Sequence, residues 1–118
     1  MKLYDSGKKL TKDSLERFEK MLGKSLPSDY KDFMMKDNGG TPEEDLAFSF
    51  IDVTTNSTNN SDIRELFVFY EDEDNDNFDD IVRIYNSMVN ENLIPPFFLP
   101  IGDDSGGNPI CMNLSENE

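Results

Sequence analysis

Near the N-terminus, apolar residues recur at helical spacing. Leu15, Phe18 and Leu22 fall at i, i+3 and i+7, which places them on one face of a helix. Thr11, Asp13 or Ser14 can cap its start, and Gly23 is placed to stop it in a left-handed turn. A second helix is predicted to begin at Leu26-Pro27-Ser28-Asp29-Tyr30, with Pro27 at the first helical position, where its missing N–H has no intrahelical partner to lose. Asp29 adds negative charge near the positive end of the helix dipole. Tyr30, Phe33 and Met34 form the buried stripe, and Asn38-Gly39-Gly40 ends the helix. The two helices are expected to be short and antiparallel.

Beyond Pro42 the period changes. Leu46, Phe48 and Phe50 alternate with Ala47, Ser49 and Ile51, the period of a strand with one buried face. The stretch from Thr54 to Asp62 is rich in Asn, Ser and Thr and reads as a loop. From Ile63 to Tyr70 a second strand carries Leu66, Val68 and Tyr70 on one side and Phe67 and Phe69 on the other, so both faces are expected to be covered. An acidic run from Glu71 to Asp80 leads into a third helix, with Phe78, Ile81, Val82, Tyr85, Met88 and Val89 at helical spacing. Asp76 or Asn77 can cap this helix, and Asp79 and Asp80 suit its first turn. Asn90-Glu91-Asn92 frays it and Pro95-Pro96 forbids continuation. Phe97, Leu99 and Ile101 then alternate with Phe98 and Pro100 in one strand, and Ile110, Met112 and Leu114 with Cys111 and Asn113 in another. The order predicts an α+β domain: a mainly antiparallel sheet with two N-terminal helices and one further helix packed against it. No repeat or linker interrupts the chain, so residues 1–118 are expected to form a single domain.

Composition adds a core and a charge asymmetry. The hydrophobic fraction is only 36%, but nine Phe and four Tyr supply large apolar area per residue. The net charge is -14, and it is unevenly spread. Met1 to Lys36 holds nine basic and six acidic residues, whereas the chain from Asp37 onward holds two basic and nineteen acidic. Such a surface repels phosphate backbones and anionic membrane and attracts cationic proteins or divalent metal. Direct nucleic-acid and membrane binding are therefore disfavoured. Prolines interrupt the best apolar run, Leu93 to Ile101, and the N-terminus lacks an apolar targeting segment, so a soluble cytoplasmic protein is expected.

Candidate chemistry is sparse. With no His and with Cys111 as the one cysteine, zinc sites of Cys and His, Ser-His and Cys-His nucleophile pairs and an internal disulfide are all excluded. Asp72, Asp74 and Asp76 match positions 1, 3 and 5 of a calcium loop, but the register puts Asn77 where glycine is needed and Arg83 where a bidentate Glu belongs. The turn Gly102-Asp103-Asp104-Ser105-Gly106-Gly107-Asn108 lacks the spacing of a phosphate cradle, and its aspartates repel an anion. In its structural reading, Gly106 and Gly107 take positive φ and Asp103 or Asp104 bonds turn N–H groups. Neighbouring carboxylates such as Asp103 and Asp104 point to opposite faces of a strand and make poor acid–base pairs. Cys111 suits a buried apolar role, and Phe48, Phe50, Phe67, Phe69, Phe97 and Phe98 are more simply core than a base-stacking platform. No catalytic set, metal site or cofactor is expected.

Two segments together carry a family signal. The first is Leu26-Pro27-Ser28-Asp29-Tyr30-Lys31-Asp32-Phe33 running to Asn38-Gly39-Gly40; the second is Leu99-Pro100-Ile101-Gly102-Asp103-Asp104-Ser105-Gly106-Gly107-Asn108 with Ile110-Cys111-Met112. Their order and separation resemble the SUKH superfamily, which contains a fungal cell-wall synthesis regulator and many bacterial immunity proteins of polymorphic toxin systems. The resemblance implies a noncatalytic α+β binding domain, whose bacterial members protect their cell by binding a toxin that is often directed at nucleic acid. The matching residues are scaffold: Leu26, Pro27, Tyr30 and Phe33 in the second helix, Gly39 and Gly40 at its end, and Pro100, Ile101, Gly102, Asp104, Gly106 and Gly107 in the hairpin. Relatives often continue past the second motif with another strand and a helix, so an uncovered sheet edge is expected here.

The expected function is binding and neutralisation of a cognate toxin with a basic surface; the alternative is an intracellular regulatory adaptor of the same fold. The expected docking surface is Glu71, Asp72, Glu73, Asp74 and Asp76, with Asp103 and Asp104 in second place.

Overall fold

The side chain of Thr11 accepts the backbone N–H of Ser14, and Ser14 Oγ accepts that of Thr11, so a reciprocal capping box opens α1 (Lys12–Leu22). Gly23 closes the helix at φ 69°, as its sequence position suggests. Leu15, Phe18 and Leu22 are buried on the core face. In this computed structural model, residues 2–43, 46–52, 57–72 and 75–116 are described. Helix α2 (Ser28–Lys36) begins one residue later than predicted: Pro27 is the N-cap with extended backbone, because φ near -60° suits that position as well as the first turn. Tyr30 and Met34 are buried and Phe33 half-buried. Glu19 of α1 accepts the Leu26 N–H at 2.6 Å and lies 3.9 Å from the Lys31 ammonium, which ties the entry of α2 to α1.

Asn38-Gly39-Gly40 does not end α2, which stops at Lys36 with Asp37 as C-cap. The three residues instead form a bracket for the segment Leu66-Phe67-Val68-Phe69, in which every side chain is buried. The Asn38 side chain accepts the Phe69 N–H and donates to the carbonyls of Phe69 and Lys8, each at 2.9 Å. Gly39 (φ 67°) lies so close that an added Cβ would stand 2.4 Å from the Phe67 carbonyl oxygen. Gly40 and Leu66 exchange both backbone hydrogen bonds, at 2.8 and 2.9 Å. On the other side Phe67 N–H bonds the Ile101 carbonyl, while Val68 bonds backbone groups of Asp79 and Ile81. The segment is thus held by backbone pairing from several directions.

The strands follow from this arrangement. β1 (Leu3–Tyr4) pairs with β2 (Thr41–Pro42), and β5 (Glu65–Leu66), β6 (Phe98–Asp103) and β7 (Pro109–Asn113) form a three-stranded sheet in that order, all antiparallel. The Gly40–Leu66 bridge joins the two sets. The predicted strand from Ile63 to Tyr70 is therefore shorter in regular pairing, although its expected double-sided burial holds at residues 66–69. β3 (Leu46–Asp52) pairs with β4 (Ser57–Ile63) along its full length. β4 corrects the loop reading of Thr54 to Asp62 from Ser57 onward, and Thr54 to Asn56 lie outside the described residues. The ladder of a ribbon is made by backbone N–H and C=O groups, which Ser, Thr and Asn carry as apolar residues do. The alternating side chains of β3 lie outside the described residues. Among the described strands, β7 has no partner on its outer side.

Helix α3 (Ile81–Asn90) starts later than its apolar spacing suggests. The buried Asp80 takes the N-cap, accepting the N–H groups of Val82 (3.0 Å) and Arg83 (3.4 Å), so neither Asp76 nor Asn77 caps it. Asp79 and Phe78 consequently precede the helix rather than sharing its first turn. Ile81, Val82 and Tyr85 face the core, and the Tyr85 hydroxyl donates to the Pro96 carbonyl at 2.5 Å, fixing the turn into β6. Asp80→Ala should lose about 1 kcal/mol from the cap alone, with more from its buried site, measured as a lowered urea midpoint. Among the described residues three helices and antiparallel strands make an α+β fold whose core joins α1, α2 and α3 to Phe67, Phe69 and Leu99. Phe18 and Phe69 stack at its centre, with ring centroids 4.6 Å apart.

Candidate functional site

The acidic loop leaves the core at Tyr70 and returns at Asp79. Its base is pinned: the Tyr70 hydroxyl donates to Asp79 Oδ1 at 2.7 Å, and the Val68 N–H bonds the Asp79 carbonyl at 2.8 Å. Burial and then Asp79 push the Tyr70 hydroxyl well above its ordinary value, so it stays a donor. Inside the loop Asn75 donates to the Asp72 carbonyl at 2.6 Å and to Asp80 Oδ2 at 2.8 Å, and its own Oδ1 accepts the Asn77 N–H. The described part of the loop is cross-braced through Asn75. Glu73 and Asp74, two of the predicted docking residues, lie outside the described residues.

Its carboxylates are not equivalent. Glu71 stands 3.4 Å from Arg17 of α1, and a hydrogen bond with Ser14, together with the charges of Arg17 and Lys8, holds its carboxyl below the usual range against a smaller opposing effect of burial. A groove of about 470 Å³ opens here, lined by Lys8, Lys9 and Arg17 on one side and Tyr70, Glu71 and Asp72 on the other. The base of the loop therefore meets the basic N-terminal third of the chain. Asp72 and Asp76 are exposed. Among the described residues no group of acids or thiols is placed to hold a metal ion.

Asp103 and Asp104 do different work in the β6–β7 hairpin. Arg64 grips Asp103 through both ends of its guanidinium, with Nε 3.2 Å from Oδ1 and Nη2 on Oδ2, and the Asp103 carboxylate is largely buried. Asp104 Oδ1 accepts the N–H groups of Gly106 and Asn108, both at 2.9 Å. Ser105 donates to Asp62 of β4, and these bonds hold the Asp62 carboxyl below its ordinary value. Gly107 alone takes the predicted positive φ (81°); Gly106 does not, because the Asp104 side chain organises the turn in place of a second left-handed residue. Gly102 is required by close approach, since a Cβ there would stand 2.4 Å from the Glu65 carbonyl oxygen. Pro100 is buried and Ile101 partly buried, and a register shift falls between Pro100 and Gly102. Cys111 is half-buried, and desolvation pushes its thiol up.

The two motif segments thus meet through the core: the bracket at residues 38–40 and the strand β6 hold opposite sides of residues 66–67. A model of the SMI1/KNR4 family (SUKH-1) matches residues 9–118. The chain belongs to this family. The SUKH-1 match takes in both motifs and the acidic loop between them. The chain is also similar to the SPbeta prophage-derived uncharacterized protein YokK of Bacillus subtilis (strain 168), at 28% identity over 118 aligned positions that cover 92% of this chain and 59% of that protein. It therefore spans less than two thirds of the length of that relative. No solved structure matches the chain. No helix among the described residues is long and apolar enough to cross a membrane.

Several consequential residues escaped the sequence reading. Asn38 is named in the first motif only as a helix terminator, and Arg17 and Arg64 owe their importance to partners far along the chain. Phe78, assigned by spacing to the apolar face of α3, is 98% exposed.

Proposed function

We propose that the protein is a noncatalytic immunity protein that binds and neutralises a cognate toxin, one that acts on nucleic acid in the cytoplasm. The observation that carries this reading is the SUKH-1 match over residues 9–118. Its charge supports the choice of partner. An enzyme that grips nucleic acid needs a basic groove for phosphate, and an acidic surface is drawn to that groove and can occupy it. The docking residues are Glu71, Asp72, Glu73, Asp74 and Asp76 of the acidic run. Asp103 and Asp104 lend negative potential nearby while their carboxylates hold the hairpin. Binding needs neither cofactor nor metal.

Co-expression with the toxin encoded by the adjacent gene tests the proposal. Growth should be restored in cells making that toxin, and continued killing at equal expression would remove the immunity reading in favour of an adaptor.

A further inference from the structure

Phe78 is the most exposed large apolar side chain among the described residues, at 98%, and its position is not incidental. It stands at the edge of a second groove, about 330 Å³, between α3 and the β5–β6 sheet, whose walls include Arg64, Glu65, Phe67, Ile84 and Met88. The turn that carries Phe78 is fixed on both sides. The Asp80 N–H and Arg83 Nη1 both bond the Asn77 carbonyl, Asp79 accepts the Tyr70 hydroxyl, and Asp80 caps α3. An aromatic ring on such a braced turn has lost backbone freedom before any partner arrives, which lowers the cost of using it as an anchor.

We infer that Phe78 and this groove form the apolar centre of the docking surface, receiving an aliphatic side chain from a lysine- or arginine-rich segment of a partner protein. This rests on the immunity reading for the identity of the partner and adds where and how the partner is held. Charge selects the occupant. Among the described residues Glu65 and Asp103 line the groove with Arg64, which is bound to Asp103 and stands 3.8 Å from Glu65, so the lining keeps an excess of negative charge; Asp76 and Asp79 flank Phe78 in sequence, against Arg83 on the Asn77 carbonyl. A second copy of the chain would bring another net charge of -14 against the same face. Anchors of this kind, aromatic and ringed by polar groups, carry a large share of binding in protein interfaces.

The test uses the full chain, isotope-labelled, titrated in low salt with a short peptide alternating leucine and lysine and with a lysine–serine peptide of equal charge. The leucine–lysine peptide should perturb backbone amides at Phe78, Ile84, Met88 and Gly107. Phe78→Ser should weaken its binding roughly tenfold or more while leaving the melting temperature unchanged, and Met88→Ser should weaken it as well. The lysine–serine peptide should bind more weakly and be indifferent to Phe78→Ser. Equal binding of the two peptides, unchanged affinity in Phe78→Ser, or self-association of the wild type that Phe78→Ser abolishes would each overturn the inference. In the growth assay, rescue by Phe78→Ser as complete as by the wild type would remove this anchor and leave the immunity reading intact. Failure of the wild type itself to rescue would remove that reading, and the titration would still decide the groove.

Discussion

Asn38→Leu is expected to destabilise the protein by about 3 kcal/mol or more, read as a lowered urea midpoint with an unchanged slope. Asn38 is 2% exposed, and its amide satisfies the Phe69 N–H and the carbonyls of Phe69 and Lys8. Leucine fills a similar volume and satisfies none of them. Each buried backbone group left unpaired costs about 1 to 3 kcal/mol, and a domain of this size has about 5 to 15 kcal/mol in all. Asn38→Asp separates the contributions. It keeps an acceptor for the Phe69 N–H but sets a carboxylate oxygen against two carbonyls, which raises the folded-state pKa of the new acid. Its defect should therefore shrink as pH falls through that raised value and grow as pH rises. A midpoint for Asn38→Leu within error of the wild type would show that the bracket at residues 38–40 does not hold the core segment.

Reversing Asp72, Asp74 and Asp76 to lysine should slow association with the inactivated toxin by about ten- to a hundredfold at low salt and flatten the dependence of the rate on salt. Each reversal changes the charge by two, so the net moves from -14 to -8. Glu71 is left out because it is paired with Arg17; a lysine there would face Arg17 and disturb α1 as well as the surface. The comparison is made by stopped-flow mixing across a salt series. Because long-range steering acts mainly on the encounter, the dissociation rate should change much less. An unchanged on-rate at low salt would remove the loop from the mechanism. Combined with Phe78→Ser, the reversal divides the proposed surface into a steering part and an anchoring part, since loss of the anchor should mainly speed dissociation.

The sequence by itself determined what nearest neighbours decide. A helix cap needs a short polar residue before the first turn, a left-handed stop needs a glycine after the last apolar position, and a buried helix face needs a period of 3.6; α1 therefore follows its reading in face and stop, with Thr11 taken from the three candidate caps, and α2 and the β6–β7 hairpin were placed within a residue or two. The family was legible too, because its two motifs are runs of such local signals, and so was the acidic bias of the later chain. Tertiary structure decided the rest. Whether Asp80 or Asp76 caps α3 depends on which one the core can bury, and that choice carried Phe78 out of the helix into solvent. The ribbon β3–β4 needed pairing across the chain, which a polar stretch does not advertise. Asn38 and Phe69 are 31 positions apart and Arg64 and Asp103 are 39 apart, so no local pattern names them as partners. A carboxylate written into the sequence is only a charge. Folding decides whether it binds an arginine, caps a helix, turns a hairpin or faces the solvent, because each outcome depends on which donors the rest of the chain brings within hydrogen-bonding distance.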